Sequence, residues 1–182
     1  MSAAVLVRYG AIPEVSRFRS PVDVSLEWGQ NVVVRSHRGE ELGVLLNAGR
    51  ARPTPLRPTD SENNSDDELP ELLRIATGED LNLHRTLRQE AQAAFEQWQA
   101  RIEEWKLELE LIDIEWTLDR QKLVLYVLGG RGADSTRLAL QAAAAGLSAI
   151  EVQPVSAEGA VPLPAAGGGC GSGGGGCGCH PH

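Results

Sequence analysis

Leu72-Leu-Arg-Ile-Ala-Thr-Gly-Glu-Asp80 is the stretch on which the fold turns. It reads as a helix start. Thr77 is a favourable N-cap, because its hydroxyl can accept one of the amide hydrogens that a first helical turn leaves unpartnered. Asp80 follows three residues later, beside the positive end of the helix dipole. Apolar residues then recur at Leu81, Leu87, Ala91, Ala94, Phe95, Trp98, Ile102 and Trp105. That spacing is helical, with Arg85, Arg88, Glu96, Arg101 and Glu104 on the other face. The aromatic stripe of Phe95, Trp98 and Trp105 reads as core, since an amphipathic helix must bury one face.

Toward the C-terminus, Leu107 to Leu118 alternates, with Leu109, Leu111, Ile114 and Trp116 set between acids. Asp119-Arg-Gln-Lys122 reads as a tight turn. Leu123 to Leu128 is a continuous apolar run, the pattern of a central strand covered on both faces. Gly129-Gly-Arg-Gly132 breaks it. This stretch could form a backbone anion nest, but it lacks a Walker lysine and a dinucleotide fingerprint, so it reads as a strand-to-helix turn. Asp134 or Ser135 caps a second helix running to about Ala145, where Gly146 ends it. Ala149 to Val155 is a final strand. From residue 72 the order is helix, strand, strand, helix, strand. That is an α+β fold with helices on one side of a mostly antiparallel sheet.

Toward the N-terminus, residues from Ala3 to Asn47 read as short strands of a small, curved antiparallel sheet. Val5, Val7 and Tyr9 alternate with Leu6 and Arg8, and Val32-Val-Val34 is β-branched. Arg38-Gly39 reads as a hairpin turn into Glu41-Leu-Gly-Val-Leu-Leu46, and Gly43 inside that strand marks a close backbone approach or a bulge. Residues 48–69 carry Pro53, Pro55 and Pro58 and then an acidic run. They have little to bury, so they read as a mobile loop inside one domain spanning residues 1–155. Half of the 20 glycines lie beyond residue 155, so 156–182 reads as a disordered, low-complexity Gly/Cys/His tail.

A chain of 182 residues with 42% apolar and 23% charged residues has the size and composition of one soluble domain with a tail. No apolar run reaches the roughly 20 residues a membrane span needs. The N-terminus lacks the basic and apolar regions of a signal peptide, so the expectation is a cytoplasmic protein with no membrane insertion. A net charge of −8 argues against direct nucleic-acid binding over the whole surface. Locally, Arg8, Arg17, Arg19, Arg35, Arg38, Arg50 and Arg52 outnumber the acids up to that point by two. This excess reads as a solvated face, with RNA binding through the arginine-bearing sheet as an alternative.

Catalysis needs convergent acids, bases or nucleophiles, and none can be assembled here. His37 at the hairpin and His84 on the long helix read as surface residues, and a helix start accounts for Glu79 and Asp80. No catalytic residue is assigned and the protein reads as no enzyme. The three cysteines all lie in the last 13 residues. Cys170, Cys177, Cys179, His180 and His182 offer thiolate and imidazole donors that suit zinc, copper or an iron–sulfur cluster. Their C-x6-C-x-C-H-x-H spacing differs from paired C-x2-C zinc patterns. A metal-binding or redox protein carried by this tail is therefore a rival reading to a protein without cofactor.

Several stretches, taken in order, carry a resemblance. They are Gly29, Val32-Val-Val34, Arg38-Gly-Glu-Glu-Leu-Gly43, Leu73-Arg-Ile-Ala-Thr77, Glu79-Asp80, Asp119, Lys122-Leu-Val-Leu-Tyr126 and Ile150-Glu-Val-Gln153. Together they resemble the conserved C-terminal domain of polymerase-suppressor proteins (PSP), a family whose bacterial members include the YaaT/RicT regulatory proteins. The resemblance implies a non-enzymatic adaptor acting through contacts with other regulatory proteins, in developmental signalling or in messenger-RNA maturation by an endoribonuclease complex. It also implies that some members carry iron–sulfur clusters with their partners. This chain departs from the family's Arg-Val-Asp-Phe-Arg stretch, having Arg131-Gly-Ala-Asp-Ser-Thr-Arg137 there. It also has the glycine-rich tail where cluster-bearing members have a Cys-Gly-Arg-type segment.

Overall fold

Alternation does what it promised in the first strand. In β1 (Ala3–Tyr9) Val5, Val7 and Tyr9 are buried and Arg8 faces out. The computed structural model describes residues 3–21, 25–47, 69–129 and 133–161, so the acidic loop 48–68, the turn 130–132 and the tail from 162 lie outside the described residues. β1 pairs antiparallel with β2 (Glu14–Ser20) on one side and with β4 (Glu40–Leu45) on the other. β4 forms a hairpin with β3 (Asn31–Arg35). Gly43 is the close approach its position suggested. A Cβ there would lie 2.4 Å from Val7 Cγ1 and 3.1 Å from the Arg8 carbonyl oxygen.

The decisive stretch differs from its sequence reading. Glu71–Ile75 is a strand, β5, not the start of the helix. It pairs antiparallel with β3 from Val32 opposite Ile75 to Arg35 opposite Glu71, with a bulge at Val33/Val34. The reason is tertiary. β3 has a second edge to satisfy, and only a distant strand supplies the partner. β5 also meets β2 at a single parallel rung, Arg19 opposite Glu71. The N-terminal antiparallel sheet thereby closes into a barrel of order β1-β2-β5-β3-β4. Val5, Val7, Phe18, Val32, Val34, Leu45 and Leu72 fill it.

The helix α1 (Gly78–Glu104) begins once Thr77 caps it. Thr77 Oγ1 accepts from the Asp80 amide, 3.3 Å, and Asp80 Oδ2 accepts from the Thr77 amide, 2.8 Å, a complete capping box. Past its end Lys106 adopts φ 53° and the Leu107 amide donates back to the Ile102 carbonyl, which turns the chain into β6 (Glu110–Trp116). β7 (Leu123–Leu128) follows antiparallel to β6. α2 (Ala133–Ala144) then carries the chain to β8 (Ile150–Ser156), which lies parallel to β7. Asp134 and Ser135 sit inside the first turn of α2 and are not its caps. Gly146, at φ 66°, does end the helix, and Leu147 donates back to the Ala142 carbonyl. The segment beyond Val155 is not all tail. Gly159–Ala160 forms a short strand, β9, against Val155 and Ser156.

β7 is the middle of the molecule. Leu123, Leu125 and Val127 pack beneath both helices, with Ala91, Trp98, Ile102, Leu138 and Ala142. Each leucine, isoleucine or valine among them contributes roughly 1.5–3 kcal/mol on burial. Val124 and Tyr126 face the other way, toward Ala11 and Ile12 in the β1–β2 turn of the barrel. The layers are therefore helices, sheet and barrel. A third cluster of Val33, Leu87 and Leu118 seats the start of α1 on the outside of the barrel. Among the described residues no helix is long and apolar enough to cross a membrane.

Candidate interaction site at the barrel joint

The β3–β4 hairpin puts Arg38 where no solvated face exists. Ser36 starts the turn, its amide donating to the Gly39 carbonyl and its hydroxyl accepting from the Arg38 amide. The Arg38 side chain is 0% exposed. Its Nη1 donates to Glu14 Oε1 at 2.8 Å and to the Tyr126 hydroxyl at 3.2 Å. Its Nε donates to Glu41 Oε2 at 3.4 Å, and Nη2 lies 3.1 Å from Glu41 Oε1 as an ion pair without hydrogen-bond alignment. The guanidinium also stands 5.2 Å from the centre of the Tyr9 ring. Beyond it, Tyr126 donates to Glu115, and Glu115 Oε2 accepts from the Ala11 amide at 2.8 Å. One cation thus ties β2, β4 and β7 together.

Electrostatics hold Arg38 protonated. Burial opposes its charge, but Glu41, Tyr126 and Glu14 outweigh burial and raise its pKa. Burial raises the Glu41 pKa, with Arg38 and Ser36 pulling it back. Burial pushes the Tyr9 hydroxyl up to about 12 and, with Glu115, pushes Tyr126 higher still. Both phenols are neutral hydrogen-bonding groups at physiological pH. Gly10, at φ 83°, lets the β1–β2 turn close over the cluster. A Cβ there would stand 3.1 Å from the Tyr126 hydroxyl oxygen and 3.2 Å from Arg38 Nη2.

A second row of contacts runs alongside. The Leu118 amide donates to the Glu40 carbonyl at 2.6 Å and the Glu40 amide to Asp119 Oδ2 at 3.3 Å. Asp119 Oδ1 accepts from Thr117 Oγ1 at 2.6 Å and from the Gln121 amide at 3.0 Å, which fixes the turn. Those bonds lower the Asp119 pKa against the effect of burial. Lys122 Nζ donates to Glu151 Oε2 at 2.8 Å, and His37 Nε2 stands 3.3 Å from the other oxygen. His37 is therefore no isolated surface residue. His84 is half-buried, its pKa lowered by burial while Glu115 opposes.

The resemblance-bearing stretches around residues 38–43 and 119–126, and Glu151 of the last, thus meet at one joint between barrel and sheet. Sequence reasoning missed this. One signal was available: Glu41 shares a strand face with Gly43 and Leu45, and an inward carboxylate needs a buried cation. Beside the joint lies an open groove of about 560 Å³, between β2 and the hairpin. Of its cations, Arg19 pairs with Glu71 and Arg35 with Glu40. With Arg38 also paired, much of the N-terminal basic excess is neutralised by nearby carboxylates. Among the described residues no three His, Cys, Asp or Glu side chains group as metal ligands. Cys170, Cys177, Cys179, His180 and His182 lie outside the described residues.

Residues 70–135 match the family model described as the PSP1 C-terminal conserved region. The chain is 26% identical over 137 residues to the stage 0 sporulation protein YaaT of Bacillus subtilis (strain 168), an alignment covering 74% of this chain and 46% of that protein. It spans about half the length of this curated relative. No solved structure matches the chain. Residues 70–135, from the last strand of the barrel through α1 and the β6–β7 hairpin, are thus similar to the PSP1 C-terminal conserved region, and the chain is similar to YaaT.

Proposed function

We propose that this chain is a non-enzymatic, cytoplasmic regulatory adaptor of the PSP1 type, working by protein contacts in a signalling or RNA-maturation complex. The observation that carries this reading is the convergence of the resemblance-bearing stretches on a joint whose acids and bases are spent on one another. Such a site fixes the barrel against the sheet and leaves the outer surfaces to partners. Similarity to a sporulation protein supports a regulatory role. Affinity purification of the chain at natural abundance and low salt tests it. Co-purification of a defined set of regulatory proteins is expected, and an empty eluate overturns it.

A second reading is favoured by the five sulfur and nitrogen donors gathered in the last 13 residues. In it the tail binds zinc, copper or an iron–sulfur cluster. Metal analysis of anaerobically purified full-length chain, beside one ending at Ala165, separates the two. Equal metal content in both removes the tail as a ligand set.

A further inference from the structure

The four-stranded sheet guards its two ends differently. At one end the short β9 lies along β8, and the Gln153 side-chain amide donates to the Val161 carbonyl at 2.8 Å. At the other end β6 pairs with β7 alone among the described residues, so no strand lies along its outer edge. Which backbone groups face outward follows from the ladder. The Thr117 amide donates to the Lys122 carbonyl, so residue 117 turns its groups inward to β7. Alternation then turns Glu115 inward and leaves Ile114 and Trp116 facing out. Before Ile114, a bulge interrupts the register between Leu111 and Asp113. A bulge breaks the ladder that a further strand would follow, so the regular outer edge is Ile114 and Trp116.

Ile114 is not left open. Its amide donates to Asp113 Oδ1 at 2.8 Å, and its carbonyl accepts from Arg88 Nη1 at 3.1 Å. Arg88 also holds both oxygens of Asp113, Nη1 donating to Oδ1 at 3.0 Å and Nη2 to Oδ2 at 2.7 Å. The donor and the acceptor that a neighbouring strand would use are thus both taken by side chains. Arg88 follows the buried Leu87 on α1, so the packing of the helix carries the guanidinium to the edge. The planar fork of arginine suits this task, since it serves a carboxylate with two bonds and turns a further N–H to the carbonyl. Ion pairing alone explains the arrangement less well. The Arg88 and Asp113 side chains are 44% and 26% exposed, and a pair that open contributes little to stability.

We infer that Arg88 and Asp113 form a strap that shuts the β6 edge against a second copy of this chain. An unpaired edge is a template for another strand, and every copy of the chain presents the same edge. Ile112 stands on that strand with a 40% exposed apolar side chain, which a bared edge would offer to the incoming copy. The strap removes the central pair of backbone groups, and the bulge removes the ladder beyond it. The adaptor reading concerns surfaces offered to partners, whereas this inference concerns one that is withheld, and each stands without the other.

The test uses the full chain under reducing conditions, with sedimentation velocity over a range of concentrations and amide exchange as readouts. Arg88→Ala combined with Asp113→Ala frees both backbone groups of Ile114. This variant is expected to associate in a concentration-dependent way that the wild type does not show. Adding Ile112→Lys, which sets a charge on the bared strand, should return the wild-type behaviour. Asp113→Ala alone should speed exchange of the Ile114 amide about tenfold, the scale of one lost hydrogen bond. If the double variant does not fold, Arg88→Gln, which keeps the stem and loses the fork, takes its place in sedimentation. The inference is overturned if the strap-less variant sediments as the wild type does at every concentration. It is overturned equally if the new association survives Ile112→Lys, which would place it on another surface, or if Ile114 exchange is unmoved by Asp113→Ala.

Discussion

Arg38 and Arg74 each hold a carboxylate a few residues away, and the two sites differ in almost everything else. Arg38 is enclosed and bridges three strands from two layers. Arg74, on β5, is 48% exposed and clasps Asp80 in the first turn of α1. The same Asp80 closes the capping box with Thr77. The first site joins residues 88 positions apart in sequence, and the second joins residues six apart. The buried site therefore specifies how the layers meet, whereas the exposed one sets where a helix begins.

The largest effect is expected at the buried site. Arg38→Leu should cost about 3–5 kcal/mol, since it strands Glu41 and Glu14 without their cation. Urea unfolding measures this, and a loss under about 1 kcal/mol would mean the joint does not depend on the pair. Arg38→Leu with Glu41→Leu should recover part of the loss, because apolar replacement of both partners is often neutral. Gly10→Ala should cost about 1–3 kcal/mol, through its positive φ and the crowding of Tyr126 and Arg38. An unchanged midpoint would show that the turn stands off the cluster. Asp80→Ala should cost about 1 kcal/mol, the usual scale of a lost N-cap partner. A loss matching that of Arg38→Leu would erase the contrast between the two sites.

The smallest effect is in the pH dependence, where the two sites have opposite signs. Arg74, with the bonds from Thr77, holds the Asp80 pKa well below the usual carboxylate range. Its contribution is present above the unfolded value of ~3.9 and fades as pH falls toward the folded one. Burial raises Glu41, so the folded chain binds that proton more readily. Its contribution grows as pH falls from the raised value toward the unfolded ~4.3. Unfolding free energies measured across this range should lose the acid-side fall in Asp80→Asn and the rise in Glu41→Gln. Parallel curves for wild type and both variants would remove the assignment.

What the sequence showed and hid follows the same division. The Thr77 cap, the β1 alternation, the Gly43 approach and the covered β7 strand were legible, because each is written in neighbouring residues. β5 was not, since Leu72-Leu-Arg-Ile75 becomes a strand only by meeting β3 across the acidic loop. β9 was hidden in a segment whose composition matches the tail. Arg38 was counted with the solvated arginines, because a single sequence marks an arginine as charged and says nothing of the acids that distant strands bring to it. Glu41 on an inward strand face was the one local sign. The joint is thus a property of topology, which brings residues 38–43 and 119–126 together across the chain.

The late arrival of β5 has a consequence for synthesis. The chain leaves the ribosome with β1 to β4 first, and they pair with one another at once. The outer edge of β3 must then wait for residues 48–68 to be made before Glu71–Ile75 can cover it. During that interval the nascent chain shows an open, valine-rich edge of the kind that invites pairing with other chains. The intervening segment carries Pro53, Pro55 and Pro58, which lack a donor for a strand ladder, and an acidic run that repels another copy of itself.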